Sequence, residues 1–281
     1  MTEADAAAFV PLLRAALAED VGSGDITTHA LIPESAMAAA DVVVRATGVL
    51  AGLAVALRTF TLLDSRIQCD SKVEDGARVD AGTVVARLSG PARGILTGER
   101  VALNLLGRLS GIATITRGYV DEIRGFPAKI ADTRKTTPGL RALERYAVRA
   151  GGGVNHRFGL HDAVLIKDNH LAAVGGVAEA VKRGRAGASP GVVIEVECDT
   201  FAQVRDALDA GADSILLDNM DDATTAKAVK AAAGRALTEA SGNVNLHTVR
   251  AIASTGVDVI SVGALTHGAV SLDVGLDFVL S

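Results

Sequence analysis

The chain has 281 residues, with 28 Lys plus Arg against 33 Asp plus Glu and a formal net charge of −5. That acidic balance excludes a general nucleic-acid binder, which would carry a basic face, and no apolar run reaches the roughly 18 residues of a membrane span. With 49% hydrophobic residues, 3% aromatic and no Trp, the core is built from Ala, Val, Leu and Ile, in one barrel-sized domain or two smaller ones.

The N-terminus shows no cationic stretch followed by an apolar one, so no secretory signal is read and a cytoplasmic protein is expected. Cys69 and Cys198 fit no metal-ligand spacing and read as two reduced, partly buried thiols. Residues 4–20 have helical character, ended by the two glycines of EDVGSGDITT. ADVVVRATGVLAG reads as a strand and turn, and LAVALRTFTLLD as a helix. VEDGARVDAGTVVARLSG reads as short β runs punctuated by D-G and A-G turns. From Thr97, taken as the cap, to about Arg124, apolar residues recur at helical spacing. Arg100 then falls in the first turn, where a cation opposes the helix dipole. It is either half of a surface pair with Glu99 or a group reaching an anion.

Beyond residue 127 the rhythm changes. Apolar runs occupy 128–133, 163–168, 192–198, 214–219, 235–242 and 259–265, the last four beginning roughly 21 to 24 residues apart. Helical patterns separate the later runs, which implies parallel strands joined by crossover helices. Six such units are two short of the usual eight, so an irregular, incomplete α/β barrel is expected, with an open doubly wound sheet as the alternative. In a barrel the site lies at the C-terminal ends of the strands.

Those ends carry an unusual set of groups. The first offers Asp132, Arg134 and Lys135, and the second Lys167, Asp168, Asn169 and His170. The third offers Glu195 and Glu197, which a period of two puts on one face. Asp218 and Asn219 follow the fourth run; Glu239, Ser241, Gly242 and Asn243 the fifth; Gly263 and Ala264 the sixth. Between Arg134 and His170 seven Lys or Arg face three acids, a local balance of about +4. Within that stretch His156 and Arg157 follow GGGVN and suit a planar carboxylate. Arg141, Arg145 and Arg149, spaced by four, read mostly as a solvated helix stripe. The glycine turns ASGN and SVGAL suit phosphate. Both charge signs are present, so the ligand has anionic groups plus hydroxyls or a metal ion. A Schiff-base aldolase using Lys167 and a non-catalytic phosphate-ligand sensor remain open at this point.

The strings GSGDIT, TGERVALNLLGRLSGIAT, DTRKTTPGLR, YAVRAGGGVNHRFGL, LIKDNH, IEVEC, ILLDN, EASGN and VGALTH run in order through residues 22–267. Together they resemble the quinolinate phosphoribosyltransferase family (nicotinate-nucleotide pyrophosphorylase, carboxylating). The resemblance implies an N-terminal α/β sandwich domain, residues 1–112 plus 267–281, joined to an irregular α/β barrel over 113–266. It implies that quinolinate and phosphoribosyl pyrophosphate become nicotinate mononucleotide, pyrophosphate and CO2, with Mg²⁺, in de novo NAD synthesis. A related enzyme acting on another heterocyclic acid is the neighbouring possibility. The implied ligands of quinolinate are Arg100, Arg134, His156 and Arg157, with Thr133 beside them. Lys135, Lys167, Glu197 and Asp218 are implied to be catalytic, the two acids holding ribose hydroxyls and, with the substrate pyrophosphate, Mg²⁺. Ser241, Gly242, Asn243, Val262, Gly263 and Ala264 are implied to hold the 5′-phosphate. The resemblance also implies a homodimer or a hexamer of dimers, with Arg100 reaching the neighbouring active site.

Overall fold

A computed structural model describes residues 1–279 of the chain. In chain order the elements are α1 (Glu3–Ala7), α2 (Val10–Val21), α3 (Ile26–Leu31), β1 (Met37–Val44), β2 (Gly48–Val49), α4 (Leu53–Leu63), β3 (Gln68–Ser71), β4 (Arg78–Val79), β5 (Val84–Pro91) and α5 (Ala92–Glu122). There follow β6 (Lys129–Ala131), α6 (Arg141–Ala150), β7 (Val164–Ile166), α7 (Asp168–Val174), α8 (Val177–Gly187), β8 (Ile194–Cys198), α9 (Phe201–Asp209), β9 (Ser214–Asp218), α10 (Asp222–Ala232), β10 (Leu237–Ser241), α11 (Val249–Ser254), β11 (Val259–Ser261), α12 (Ala264–His267) and β12 (Val274–Val279). Two compact units result. One comprises Met1–Arg117, Thr137–Gly152 and the chain from Ala269 onward; the other comprises Gly118–Thr136 and Gly153–Gly268.

The first unit holds an antiparallel sheet in the order β12-β1-β5-β3. Val42 pairs with Leu276 on one side and Ala86 on the other. Alternation along β1 and β5 turns Ala40, Val42, Ala86 and Leu88 into a core shared with Phe60 of α4 and Ile95, Leu103 and Leu106 of α5. Two sequence expectations are corrected here. The single helix read over residues 4–20 is two, because Pro11 sits in the first turn of α2, where its missing N–H costs nothing, and not in a helix interior. The long helix starts at Ala92, directly out of β5, rather than at Thr97. Thr97 instead donates its hydroxyl to Asp25 Oδ2 at 3.0 Å, and Arg100 lies beyond the first turn.

The glycines inside α5 have a packing reason. A Cβ on Gly107 would stand 2.8 Å from the Leu272 carbonyl oxygen, and one on Gly111 2.1 Å from that of Val270. The C-terminal segment therefore lies directly on the helix backbone, and Leu272 N–H donates to the Gly107 carbonyl at 2.9 Å. On α6, Glu144 is fully buried and accepts from Arg108 Nη2 at 2.8 Å and Thr137 Oγ1 at 2.8 Å. Arg145, expected on a solvated stripe, is buried, whereas Arg149 is exposed and stacks over the Tyr146 ring. One face of α6 packs too closely for Arg145 to reach solvent.

The second unit holds six parallel strands in the order β6-β11-β10-β9-β8-β7. Among the described residues no ladder joins β6 to β7; an isolated bridge from Ala131 to Val154 is the pairing on the outer side of β6. This is the incomplete α/β barrel expected from six strand–helix units. Alternation separates its two faces. Ile194, Val196 and Cys198 of β8 and Ile215 and Leu217 of β9 pack outward against α8, α9 and α10, all nearly or fully buried. Glu195 and Glu197 point the other way, into the interior. Thr200 and Gln203 form a capping box on α9, and Asp221 caps α10, so the helices restart promptly after each strand. Among the described residues no helix is long and apolar enough to cross a membrane.

Candidate active site

The interior of the second unit opens at the C-terminal ends of its strands into a cavity of about 310 Å³. Thr133, Arg134, Lys135, His156, Arg157, Lys167, Glu197, Asp218 and Ser241 all line it, together with Leu165, Leu216, Glu239 and Ser261. Residues that are far apart in sequence converge because each follows or ends a parallel strand.

Local chemistry explains the placement of the cations. Asp132 is fully buried just after β6. It accepts the His156 backbone N–H at 2.8 Å and the Asn155 side-chain amide. That carboxylate fastens the GGGVNHR segment beside β6 and delivers His156 and Arg157 to the cavity. Gly151 serves a different purpose in the first unit, where a Cβ would stand 2.6 Å from the Ala113 carbonyl oxygen. Arg157 donates to the Ala163 carbonyl at 3.1 Å. Burial, and then the charge of Arg134, pull its pKa below the usual arginine value, so two guanidinium groups crowd one wall and favour an anion between them. Lys167 stands at the start of α7 and its Nζ lies 3.0 Å from Glu197 Oε2. His170 of the same motif does not line the cavity: its Nδ1 accepts the Lys167 backbone N–H at 3.0 Å.

The acids are distributed on two levels. Glu197 and Asp218 are half-buried at the strand ends. Glu195 and Glu239 are buried below them, both directed at His156 Nε2, at 3.0 and 3.4 Å. The sequence had marked both residues as ionisable strand-end groups without giving either a role. The signal was present in the period of two, which puts Glu195 with Glu197 and Glu239 with Ser241.

The glycine turns interlock. Asn219 and Asn243 both adopt the left-handed conformation, with φ of 53° and 49°. The Asn243 amide donates to Asn219 Oδ1 at 3.0 Å, and a Cβ on Gly242 would stand 2.2 Å from that same oxygen. Only glycine fits there. After β11 the Val262 side chain is buried and its N–H is donated to the Ala131 carbonyl at 2.9 Å. A Cβ on Gly263 would stand 3.1 Å from the Lys135 stem. Gly242, Asn243, Val262, Gly263 and Ala264 lie in these turns and do not line the cavity itself. Arg100 lies in the first unit, 3.8 Å from Glu99 and with its side chain 64% exposed. It borders a separate hollow with Asp20, Asp25 and Thr97.

A cavity that is cationic on one wall and acidic on the other suits a polyanionic ligand that also carries hydroxyls. Known proteins with this architecture agree. Residues 25–110 match the quinolinate phosphoribosyl transferase N-terminal domain and residues 112–277 the quinolinate phosphoribosyl transferase C-terminal domain. The chain is 48% identical over 263 residues to a probable nicotinate-nucleotide pyrophosphorylase (carboxylating) of Bacillus subtilis (strain 168), covering 94% of this chain and 91% of that one. It is 48% identical over 274 residues to a nicotinate-nucleotide pyrophosphorylase (carboxylating) of Mycobacterium leprae (strain TN), covering 94% and 95%. The solved structure of the nicotinate-nucleotide pyrophosphorylase from Francisella tularensis superposes with a TM-score of 0.92 at 38% identity, over 99% of this chain and 98% of that one. Both family domains, matched in order over nearly the whole length, establish that the chain belongs to the quinolinate phosphoribosyl transferase family.

Proposed function

We propose that the protein transfers the phosphoribosyl group of phosphoribosyl pyrophosphate to quinolinate and decarboxylates the product. Nicotinate mononucleotide, pyrophosphate and CO2 result, in de novo NAD biosynthesis. The observation that carries this reading is the convergence of Arg134, Lys135, His156, Arg157 and Lys167 with Glu197 and Asp218 on one cavity.

Quinolinate is a dianion, and Arg134, Arg157 and His156, with Thr133 beside them, match its two carboxylates in charge and donor geometry. Glu197 and Asp218 accept from ribose hydroxyls and offset positive charge that develops at the anomeric carbon as the bond to pyrophosphate breaks. Lys135 and Lys167 balance the leaving pyrophosphate. Ser241, Gly242 and Asn243, with Gly263 and Ala264 anchored by Val262, hold the 5′-phosphate, and Gly242 has no room for a side chain. The pyridine nitrogen supplies the electron pair of the new bond and becomes positive. The bond to the 2-carboxylate then breaks, CO2 departs, and the pair left on the ring carbon, stabilised by that charge, takes up one proton. No side chain forms a covalent bond.

Glu197 and Asp218 are oxygen donors of the kind Mg²⁺ takes. Since Glu197 is already paired with Lys167, the ion would be held mainly by the substrate pyrophosphate. When bound, Mg²⁺ supplies charge neutralisation at the leaving group. The exposure of Arg100 supports a homodimer, or a hexamer of dimers, in which this side chain reaches the neighbouring active site. We also place the protein in the cytoplasm.

Purified protein supplied with Mg²⁺, quinolinate and phosphoribosyl pyrophosphate is expected to release CO2 and pyrophosphate in equal amounts. Absence of quinolinate consumption would turn the reading toward a relative acting on another heterocyclic acid. A Schiff-base aldolase is disfavoured by the ion pair of Lys167 with Glu197, and borohydride trapping is expected to leave Lys167 unmodified.

A further inference from the structure

We propose that Glu195 and Glu239 are positioning residues that keep the His156 ring doubly protonated where it lines the cavity. Recognition of a substrate carboxylate at this wall would then be by charge and not by a neutral hydrogen bond. The inference rests on the function proposed above and deepens it by setting the protonation state that quinolinate meets.

The argument is one of donors and acceptors. His156 Nε2 lies 3.0 Å from Glu195 Oε2. Ser214 Oγ donates to the other oxygen of Glu195 at 2.9 Å. With Ser214 donating to its other oxygen, Glu195 acts as the acceptor of this contact, so Nε2 carries a proton. A substrate carboxylate also only accepts. A neutral imidazole has one N–H, and here it is committed to Glu195. His156 serves both sides only if Nδ1 is protonated as well. Glu239, on β10, adds a second carboxyl 3.4 Å from Nε2. All three side chains are at most 12% exposed, so these charges act in a poorly screened interior.

The other groups facing the ring are Asp132, which holds its backbone N–H, and Arg157, whose charge opposes protonation. Burial pulls the His156 pKa down, but the hydrogen bond to Glu195 and the charges of Glu239 and Glu195 outweigh it and leave the pKa above the ordinary value. Glu239 is pushed up to about 7 by burial and then by the charge of Glu195. As pH rises past neutrality Glu239 ionises and extends the range over which His156 stays charged. The three ligand atoms lie within 4.8 Å of one another, a spacing a metal ion could also occupy. The 3.0 Å contact accounts for the closeness without one.

The test uses Glu195→Gln and Glu239→Gln. Glu195→Gln is expected to raise KM for quinolinate about tenfold while KM for phosphoribosyl pyrophosphate stays put, with rescue by Glu195→Asp. Glu239→Gln, which resembles the protonated acid, is expected to match wild type below neutrality. Its alkaline limb of kcat/KM for quinolinate should fall about one pH unit earlier. Unchanged quinolinate KM and unchanged limbs in both variants would overturn the proposal. So would an equivalent of metal in wild type that both variants lose. Ring-nitrogen NMR of the ligand-free wild type, with His156 assigned by its loss in His156→Asn, needs neither variant to fold nor quinolinate to be the substrate. Two protonated ring nitrogens at neutral pH support the proposal, and one protonated nitrogen ends it. Failure of wild type to consume quinolinate, by contrast, would count only against the function proposed above.

Discussion

Lys167 Nζ and Glu197 Oε2 are 3.0 Å apart, joining the end of β7 to the end of β8 across the mouth of the cavity. The lysine side chain is 46% exposed and the glutamate 17%. A pair so open to solvent contributes at most about 1 kcal/mol to stability. Lys167→Ala is therefore expected to leave the thermal midpoint nearly unchanged while lowering kcat on the order of 10²-fold or more, the usual effect of removing a charge-stabilising group. Calorimetry beside steady-state kinetics checks both halves.

Arg134→Ala and Arg157→Ala are expected to act on one substrate. Each removes charged hydrogen bonds of about 1.5–3 kcal/mol apiece, so KM for quinolinate should rise about 10- to 100-fold with little change in KM for phosphoribosyl pyrophosphate. A rise shared equally by both substrates would show that the arginines do not face the dicarboxylate.

Subunit sharing has a direct readout. In a heterodimer of one Arg100→Ala and one Lys167→Ala subunit, shared sites leave one site with both residues intact. Separate sites leave none. Activity in purified heterodimers, against inactive parents, is the expected result.

Helix α5 predicts two glycine substitutions of opposite sign. Gly111→Ala drives a methyl toward the Val270 carbonyl and should cost about 1–3 kcal/mol. Gly118→Ala meets nothing nearer than a Leu246 methyl at 3.8 Å and should stabilise by about 0.5–1 kcal/mol. Urea unfolding measures both.

Glu239 binds its proton more tightly folded, at about 7, than at its ordinary value of 4.5. Between those values the folded state holds more protons than the unfolded, so this group's contribution to stability falls as pH rises. Glu239→Gln is expected to flatten the pH dependence of unfolding across that window. Cys198 is fully buried and its thiol is pushed up to about 12, mainly by burial. Alkylation of the native protein is expected at Cys69 alone, with Cys198 reacting after unfolding.

Much of this was legible in the sequence because the barrel strands carry their chemistry at fixed positions. Apolar runs ending in Lys167, Glu197 and Asp218 announced both the strands and the cavity. The start of α5 was not legible: Thr97 resembles an N-cap, while the true start is handed over directly by β5. Arg145 misled for a related reason, since spacing by four marks a helix face without saying whether it is packed. The sequence places Glu239 near a strand end but does not pair it with His156, because residues of β8, β10 and the 153–157 segment meet only in the folded unit.

The pairing of β12 with β1 joins the first and the last of the described strands in one antiparallel ladder. During synthesis, β1 leaves the ribosome long before its partner exists. Until β12 arrives, one edge of β1 offers open N–H and C=O groups to any strand nearby. The six-stranded unit, whose residues all precede β12, can condense first. The antiparallel sheet closes last, a long-range contact of the kind that slows folding. Loss of β12 would thus act chiefly on aggregation during biogenesis.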